Sequence, residues 1–410
     1  MSRNVSKSHH EAARIKPRRD PVARHLKDVP RSGIRDFFDI VSTRKDIISL
    51  GIGEPDFVTP WHIREAAIYA LDRGATSYTS NRGLDSLRDA ISDYVEETFK
   101  VAYDPATEIL VTVGVSEALD LAVRAVVEPG DEVLYHEPCY VCYGPIVTFV
   151  HGKAIPVGTS RNNGFRLTRE MLEKKVTDRT KALILNFPTN PTGATMRRKD
   201  LEGIAAFAVE HDLVVITDEI YSELTYEGEQ LSIAAFPGMK ERTIFLHGFS
   251  KGWAMTGFRL GYACGRPDII EAMMKIHQYT IMCAPVLSQK AAVEALKNHR
   301  NDVEEMKNSY EKRRNFICQA LNEIGLPCHK PSGAFYAFPY IGDHGLTSKE
   351  FSMRLLDEQK VACVPGTAFG QSGEGYLRCA YATDLNDIKE AVRRMGAFVS
   401  KLPKTHNSRG

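Results

Sequence analysis

Residues 247 to 261 read H-G-F-S-K-G-W-A-M-T-G-F-R-L-G, and they concentrate several kinds of chemistry in one short stretch. Lys251 brings an amine able to form an imine, Ser250 and Arg259 bring donors, and Gly248, Gly252, Gly257 and Gly261 surround them. Glycines let backbone approach a ligand closely, while Ser and Arg suit a phosphate. A lysine alone after a strand is ordinarily a solvated surface residue; in this company it points to a ligand site. In V-V-I-T-D-E-I-Y, residues 214 to 221, Asp218 closes an apolar run. A carboxylate there is costly unless a cation or donor meets it. It either caps the next helix or holds a protonated ring nitrogen, since a nearby anion favours the charged form of a base. Tyr221, three residues on, could reach the same ligand.

Two further segments belong with these. N-F-P-T-N-P-T-G, residues 186 to 193, is a rigid turn by composition, and its place right after the run ALIL makes it a binding-loop candidate carrying Asn190. V-G-V-S-E-A, residues 113 to 118, is a strand-turn-helix junction whose free N–H groups suit an anion.

The elements that must position these groups follow from periodicity. From about Thr107 to Gly265, short Val/Ile/Leu-rich runs (ILVTVG, EVLYHEP, KALILNFP, LVVITDEIY, RTIFLHGFS, RLGYACG) alternate with helical patterns such as SEALDLAVRAVV and RKDLEGIAAFAVEHD. Strands alternating with helices imply an α/β fold with a mostly parallel, helix-covered sheet. In such sheets ligands sit beyond the carboxyl ends of the strands, which is where all four motifs fall. After Met273 long helices dominate, and the short runs GAFYAFPYI and GYLRCAYA then mix with helices as a smaller α+β lobe. Continuous helix should join the lobes.

At 410 residues the chain fits one large and one smaller domain. With 43% hydrophobic and 26% charged residues and a formal net charge of +1, neither disorder nor a polyanion-binding surface is indicated, so no nucleic-acid partner is expected. No apolar run reaches the ~18 residues a membrane span needs. Eight irregularly spaced cysteines, most in apolar runs, fit reduced thiols in a cytoplasmic enzyme. Cys139 and Cys142 form a C-x-x-C, but no second ligand pair answers it, so no metal is expected. The start, with Arg14, Lys16, Arg18 and Arg19 interrupted by Glu11 and Asp20, has no apolar signal segment and reads as a disordered tail.

Taken in order, these motifs resemble the fold-type I pyridoxal 5'-phosphate enzymes, and within them the class I aminotransferases of the prokaryotic aspartate and aromatic branch. The resemblance runs from about Ser32 to Leu402. It implies a large cofactor domain over residues 58–295, a small α+β domain built from both chain ends (32–57 and 296–403), and tails at 1–31 and 404–410. It implies that Lys251 holds the cofactor as a Schiff base and shuttles a proton, and that Asp218 pairs with the pyridinium nitrogen. Tyr221 and Asn190 would bond the ring's phenolic oxygen. Ser250, Arg259 and the backbone at Val115 and Ser116 would hold the phosphate, and Tyr140 in E-P-C-Y would stack on the ring. Arg378 in Y-L-R-C-A-Y would grip the substrate α-carboxylate, for which a planar bidentate donor is suited. Gly53 in G-I-G-E-P-D-F and Asn190 would line that pocket.

Tyr78 in S-Y-T-S-N-R-G resembles the tyrosine lent to the partner subunit's phosphate site, which implies a homodimer with shared active sites. An Arg on a strand is normally exposed, and Tyr78 and Tyr140 could equally be core aromatics. Ile34 and Phe37 could form an apolar subsite, whereas Arg82 is the candidate for a distal carboxylate. The implied reaction moves an amino group between an L-amino acid, aspartate or aromatic or related, and a 2-oxo acid, with glutamate and 2-oxoglutarate as one couple. A carbon-sulfur β-lyase or an aminocyclopropane-carboxylate synthase would share the same lysine, aspartate and arginine. S-G-I-R-D-F-F-D-I and Y-T-S-N-R-G-L-D-S-L-R resemble the aminotransferases instead. A cofactor-sensing transcription regulator would need a DNA-binding module, and the stretch before Ser32 is too short for a winged helix.

Overall fold

Strands buried on both faces must be apolar at every position, and that is why the central runs of this chain show no alternation. The computed structural model describes residues 20–403 apart from Asp28, Pro30, Lys45 and Asn298. After a two-residue strand β1 (Ile48–Ser49) come β2 (Ile109–Thr112), β3 (Glu132–Glu137), β4 (Lys153–Gly158), β5 (Thr180–Leu185), β6 (Val214–Asp218), β7 (Thr243–Gly248) and β8 (Gly261–Cys264). The last seven form one sheet in the order β2-β8-β7-β6-β5-β3-β4. Only β8 runs against its neighbours, β7 and β2; every other pair is parallel.

Successive side chains leave the sheet on opposite faces. In β5, Ala182 and Ile184 enter a core with Leu119, Ala122 and Val123 of helix Gly114–Val126. Leu183 and Leu185 enter another with Leu201, Ile204 and Phe207 of helix Arg198–Glu210. The expected α/β architecture is therefore the observed one. The edge strand β4 is the most exposed of the seven.

The smaller lobe contains β9 (Tyr336–Ala337), β10 (Val361–Ala362), β11 (Val364–Pro365) and β12 (Leu377–Ala380), with an antiparallel sheet in the order β11-β12-β9. GAFYAFPYI yields only a two-residue strand, since Pro339 has no N–H to extend the ladder. The early chain enters this lobe directly. β1 pairs in parallel with β10, the Leu50 N–H donates to the Ala362 carbonyl at 2.9 Å, and the Leu50 carbonyl accepts from Ala380 N–H at 2.6 Å. The Leu50 side chain is buried in the small-lobe core with Tyr310, Phe335 and Leu377. Helix Val286–Lys297 packs into the large lobe through Ala291, Ala292 and Ala295, and helix His299–Glu323 packs into the small one through Met306, Tyr310 and Leu321. The chain passes between the lobes through these two helices, and Asn298 between them, where a continuous helix was expected, lies outside the described residues.

Residues 1–19 and 404–410, expected as tails, lie outside the described residues. Within the rest of the expected N-terminal tail, Arg24–Lys27 form one helical turn, and the His25 ring lies 4.6 Å from that of His151. Among the described residues no helix is long and apolar enough to cross a membrane. Because Leu50 joins the early chain to the late one, Leu50→Ala should cost about 2–5 kcal/mol. Thermal unfolding of the variant would show this as a lower midpoint; an unchanged midpoint would count against that joining role.

Candidate active site

The carboxyl ends of β2, β3, β5, β6 and β7 open onto a cavity of about 370 Å³ between the lobes. It is lined by Gly53 and Ile34 from the early chain, by Val115, Ser116, Tyr140, Asn190, Asp218 and Tyr221 from strand ends, and by Ser250, Lys251, Arg259 and Arg378. Three residues singled out by sequence, Tyr78, Phe37 and Arg82, do not line it. Tyr78 is 81% exposed. Phe37 is buried in a neighbouring core, with Ile34 packed against it. Arg82 is likewise elsewhere, its guanidinium on Glu271 and on the carbonyl of Thr107.

Lys251 follows β7 by three residues and extends its amine to the carbonyl of Gly53, 2.6 Å away. Burial lowers its pKa to about 8; Arg378 and Arg259 push the same way, while Glu54 and Asp218 oppose them. A desolvated ammonium sheds its proton more readily because the neutral amine loses less on leaving water. Asp218 stands at the end of β6 with 5% exposure. Burial raises its pKa to about 6, against the hydroxyl of Tyr143 at 2.8 Å and the N–H of Ile220 at 3.2 Å. Its bond to the Ile220 N–H is a local turn contact and not a helix cap, since the next helical turn, Ser222–Leu224, has Tyr221 at its N-cap, and Asp218 faces the cavity.

Arg378, on β12, is 2% exposed. Its Nη1 donates to Asn190 Oδ1 at 3.1 Å and its Nη2 donates to the Gly51 carbonyl. The guanidinium lies over the rings of Tyr336 and Phe369, 4.7 and 4.9 Å from their centroids. Its Nε has no hydrogen-bond partner among the described residues. The Tyr336 hydroxyl in turn shares a 2.8 Å bond with that of Tyr221. A Cβ on Gly53 would stand 2.8 Å from the Tyr336 hydroxyl, so a side chain there would intrude on the arginine's platform.

At the other end of the cavity, Arg259 reaches the start of helix Gly114–Val126. A Cβ on Gly114 would lie 2.7 Å from the Arg259 guanidinium, and one on Gly261 would lie 2.6 Å from the amide nitrogen of Val115. Those two glycines bring a cation and a helix N-terminus together, an arrangement that favours an anion. Arg259 itself adopts φ 50°, an uncommon left-handed conformation for a side-chain-bearing residue, which turns the chain back into antiparallel β8.

Among the lining residues without a role in the sequence reading, three make polar contacts that shape the site: Tyr143, Asn186 and Tyr336. Tyr143, buried against Asp218, sits three positions after Tyr140 at the start of a helix. Asn186 donates to the Asp218 carbonyl at 2.8 Å, and its Oδ1 accepts from the N–H of Asn190 at 3.3 Å. It is the first residue of the 186–193 motif, where sequence alone assigns it no role. Tyr336 came within the run GAFYAFPYI, where nothing marked it as more than core.

The family described as aminotransferase class I and II matches residues 45–395. The chain belongs to this aminotransferase family. It is 50% identical to the aspartate aminotransferase of Pyrococcus abyssi over 367 residues, 89% of this chain and 94% of that one. It is 47% identical to aromatic-amino-acid aminotransferase 2 of Thermococcus litoralis, over 90% and 96% of the two chains. Among solved structures, the aspartate aminotransferase from Thermus thermophilus with maleate superposes with a TM-score of 0.89 at 35% identity, covering 92% of this chain and all of that one. The fold is accordingly fold type I, and the chain is an aminotransferase of the aspartate/aromatic branch.

Aminotransferases of this family use pyridoxal phosphate, and the residues present fit it. The glycine cradle under Arg259 suits its phosphate, Asp218 offers a buried carboxylate to its ring nitrogen, and Lys251 offers an amine to its aldehyde. In the cofactor-free aminotransferase, Lys251 should react with an amine-directed acylating reagent half-maximally near pH 8, below the ordinary 10.5. The folded state binds fewer protons here than the unfolded state between those values, so this group's contribution to stability rises with pH across that window. Peptide mapping of the label against pH checks it; a Lys251 profile matching the surface lysines would refute the desolvated amine.

Proposed function

We propose that the enzyme transfers the α-amino group of an aspartate-like or aromatic L-amino acid to a 2-oxo acid, with glutamate and 2-oxoglutarate as one couple. The observation that carries this reading is the convergence of Lys251, Asp218 and Arg378 on one cavity. When bound, pyridoxal phosphate supplies an aldehyde for imine exchange and a conjugated ring that accepts the electron pair left at Cα. The remaining work belongs to the chain. Lys251 would hold the cofactor through its amine and, once freed by substrate, would serve as the base that moves a proton between the substrate Cα and the cofactor C4'. Its depressed pKa keeps a useful fraction neutral near physiological pH.

Asp218 keeps the ring nitrogen protonated, and that cation removes the cost of leaving a carboxylate buried without a countercharge. Tyr221 and Asn190 orient the ring through its phenolic oxygen, while Tyr140 covers its face. Ser250, Arg259 and the N–H groups at Val115 and Ser116 hold the phosphate. Arg378 binds the α-carboxylate, with Gly53 and Asn190 beside it and Ile34 at the side-chain end of the pocket. One clamp serves both half-reactions because each substrate carries the same carboxylate.

A second copy of the chain is part of this proposal. Tyr78 and Tyr279 are 81% and 87% exposed, and the two segments meet through Asn81 Nδ2, which donates to the Met282 carbonyl at 2.7 Å. Trp61, Ile68 and Tyr69 on helix Trp61–Asp72 add exposed apolar surface. An apolar face of this size suits burial against a partner, with Tyr78 lent to the partner's phosphate site. The all-thiol cysteine set suits the cytoplasm.

Amino acid alone should convert the bound cofactor to its pyridoxamine form, and 2-oxoglutarate should reverse the change in the absorbance spectrum. Lys251→Ala should lose both the starting absorbance and the turnover. Release of pyruvate and ammonia would instead indicate β-elimination, and normal amino transfer by Lys251→Ala would refute the assignment. Across a panel of amino donors assayed with 2-oxoglutarate, Arg378→Lys should raise KM for every donor by about 10- to 100-fold, the scale of one charge-assisted hydrogen bond. An effect confined to acidic donors would place Arg378 at the side chain instead of the α-carboxylate.

A further inference from the structure

Behind the turn that carries Lys251 lies a closed polar cluster with no part in the proposed chemistry. Glu223, His247 and Tyr94 are 7%, 0% and 4% exposed. The Tyr94 hydroxyl donates to Glu223 Oε1, and His247 Nε2 lies 2.9 Å from the same oxygen. The other imidazole nitrogen, Nδ1, accepts the Gly248 N–H at 2.7 Å. An acceptor nitrogen carries no proton, so the ring proton sits on Nε2, close to the carboxylate but outside hydrogen-bond geometry with it. The imidazole packs against Phe245, 5.9 Å away at 3°, and against Tyr262, 5.5 Å away at 29°. Trp253 meets its edge at 6.1 Å. It has little room to turn.

The cluster touches both ends of the lysine turn. His247 bonds the N–H of Gly248, where β7 ends, and a Cβ on Gly252 would stand 3.0 Å from Glu223 Cγ and Oε2. Gly252 thus rests directly on the Glu223 side chain, one residue after Lys251. The second carboxylate oxygen, Oε2, is buried and has no hydrogen-bond partner among the described residues. A buried carboxylate oxygen without a donor is costly, and a fold that served stability alone would gain from an apolar residue of similar size.

We propose that Glu223 and His247 are positioning residues for Lys251: the pair clamps residues 248–252 so that the amine projects into the cavity and not along its wall. This inference rests on the role proposed above for Lys251. The reactive geometry of a site depends on groups whose rotamers are locked from behind, and a misplacement of about 1 Å can cost about 100-fold in rate. The clamp works through the acceptor oxygen Oε1. Glutamine at 223 keeps that acceptor, alanine removes it, and phenylalanine at 247 keeps the aromatic packing while removing both of the ring's polar contacts.

The test follows condensation of the Lys251 amine with the aldehyde of added pyridoxal phosphate, with loss of water, in cofactor-free protein. The rate is read by absorbance and the site by borohydride trapping and peptide mapping. Glu223→Ala and His247→Phe should slow condensation about tenfold or more and cut kcat by about 10- to 100-fold. KM for both substrates should stay within about twofold, since Arg378 lies outside the cluster. Glu223→Gln should recover most of both rates. Wild-type rates in the first two variants overturn the proposal, as do kcat losses accounted for by the unfolded fraction in thermal melts. A Glu223→Gln variant as slow as Glu223→Ala overturns the acceptor role. If one variant fails to fold, the other decides. A wild-type chain with no adduct at Lys251 overturns the proposed function and this inference with it; a normal wild-type adduct beside unaffected variants overturns this inference alone.

Discussion

Charged groups leave water only when other charges or dipoles take over from it, and this site is built on that constraint. Lys251, Asp218 and Arg378 share one cavity between the lobes, and Arg378 Nε has no hydrogen-bond partner among the described residues. Burial pulls the lysine down to about 8 and pushes the aspartate up to about 6, so both move toward neutrality in the absence of ligand. A ligand with a cationic ring nitrogen, an aldehyde and a carboxylate-bearing partner would resolve these tensions together. Burying charged groups without counter-charges is costly, and a ligand of complementary charge would offset that cost.

The sheet makes such a gathering possible. Five strands running in the same sense deliver five chain segments to one edge, and each delivers a different group: the N-terminal turn at Val115, Tyr140, Asn190, Asp218 and Lys251. Antiparallel β8 adds the last part by starting at that edge, so that Arg259 meets the helix Gly114–Val126 from the opposite chain direction. The small lobe closes the cavity with Arg378 and its aromatic platform of Tyr336 and Phe369. Its attachment through Leu50 also fixes Gly53, whose carbonyl receives the lysine amine.

Much of this was legible before any coordinates. Lys251, Ser250 and Arg259 announce themselves because imine, hydroxyl and guanidinium chemistry is packed among glycines within a few residues. Asp218 and Asn190 follow apolar runs, where a polar side chain requires a reason. Tyr143 and Tyr336 gave no such signal: a tyrosine in an apolar run is compatible with an ordinary core position, and only the 2.8 Å contacts to Asp218 and Tyr221 separate them from one. Arg82 shows the reverse error. Its closeness to Tyr78 in sequence suggested a substrate contact, but its guanidinium is engaged by Glu271, 189 residues away.

Local chemistry and periodicity determined the α/β class, the order of the strands along the chain, and the reactive groups at their ends, because each depends on residues close in sequence. Tertiary structure alone decided which of those groups meet: Arg378 with Asn190, Lys251 with Gly53, and Glu223 with His247 and Gly252. These contacts join residues from separate strands and lobes, and their distances depend on sheet order, twist and lobe closure. Burial, and with it the shift of Lys251 and Asp218 toward neutrality, is a property of everything packed around a group, which no stretch of neighbouring letters contains.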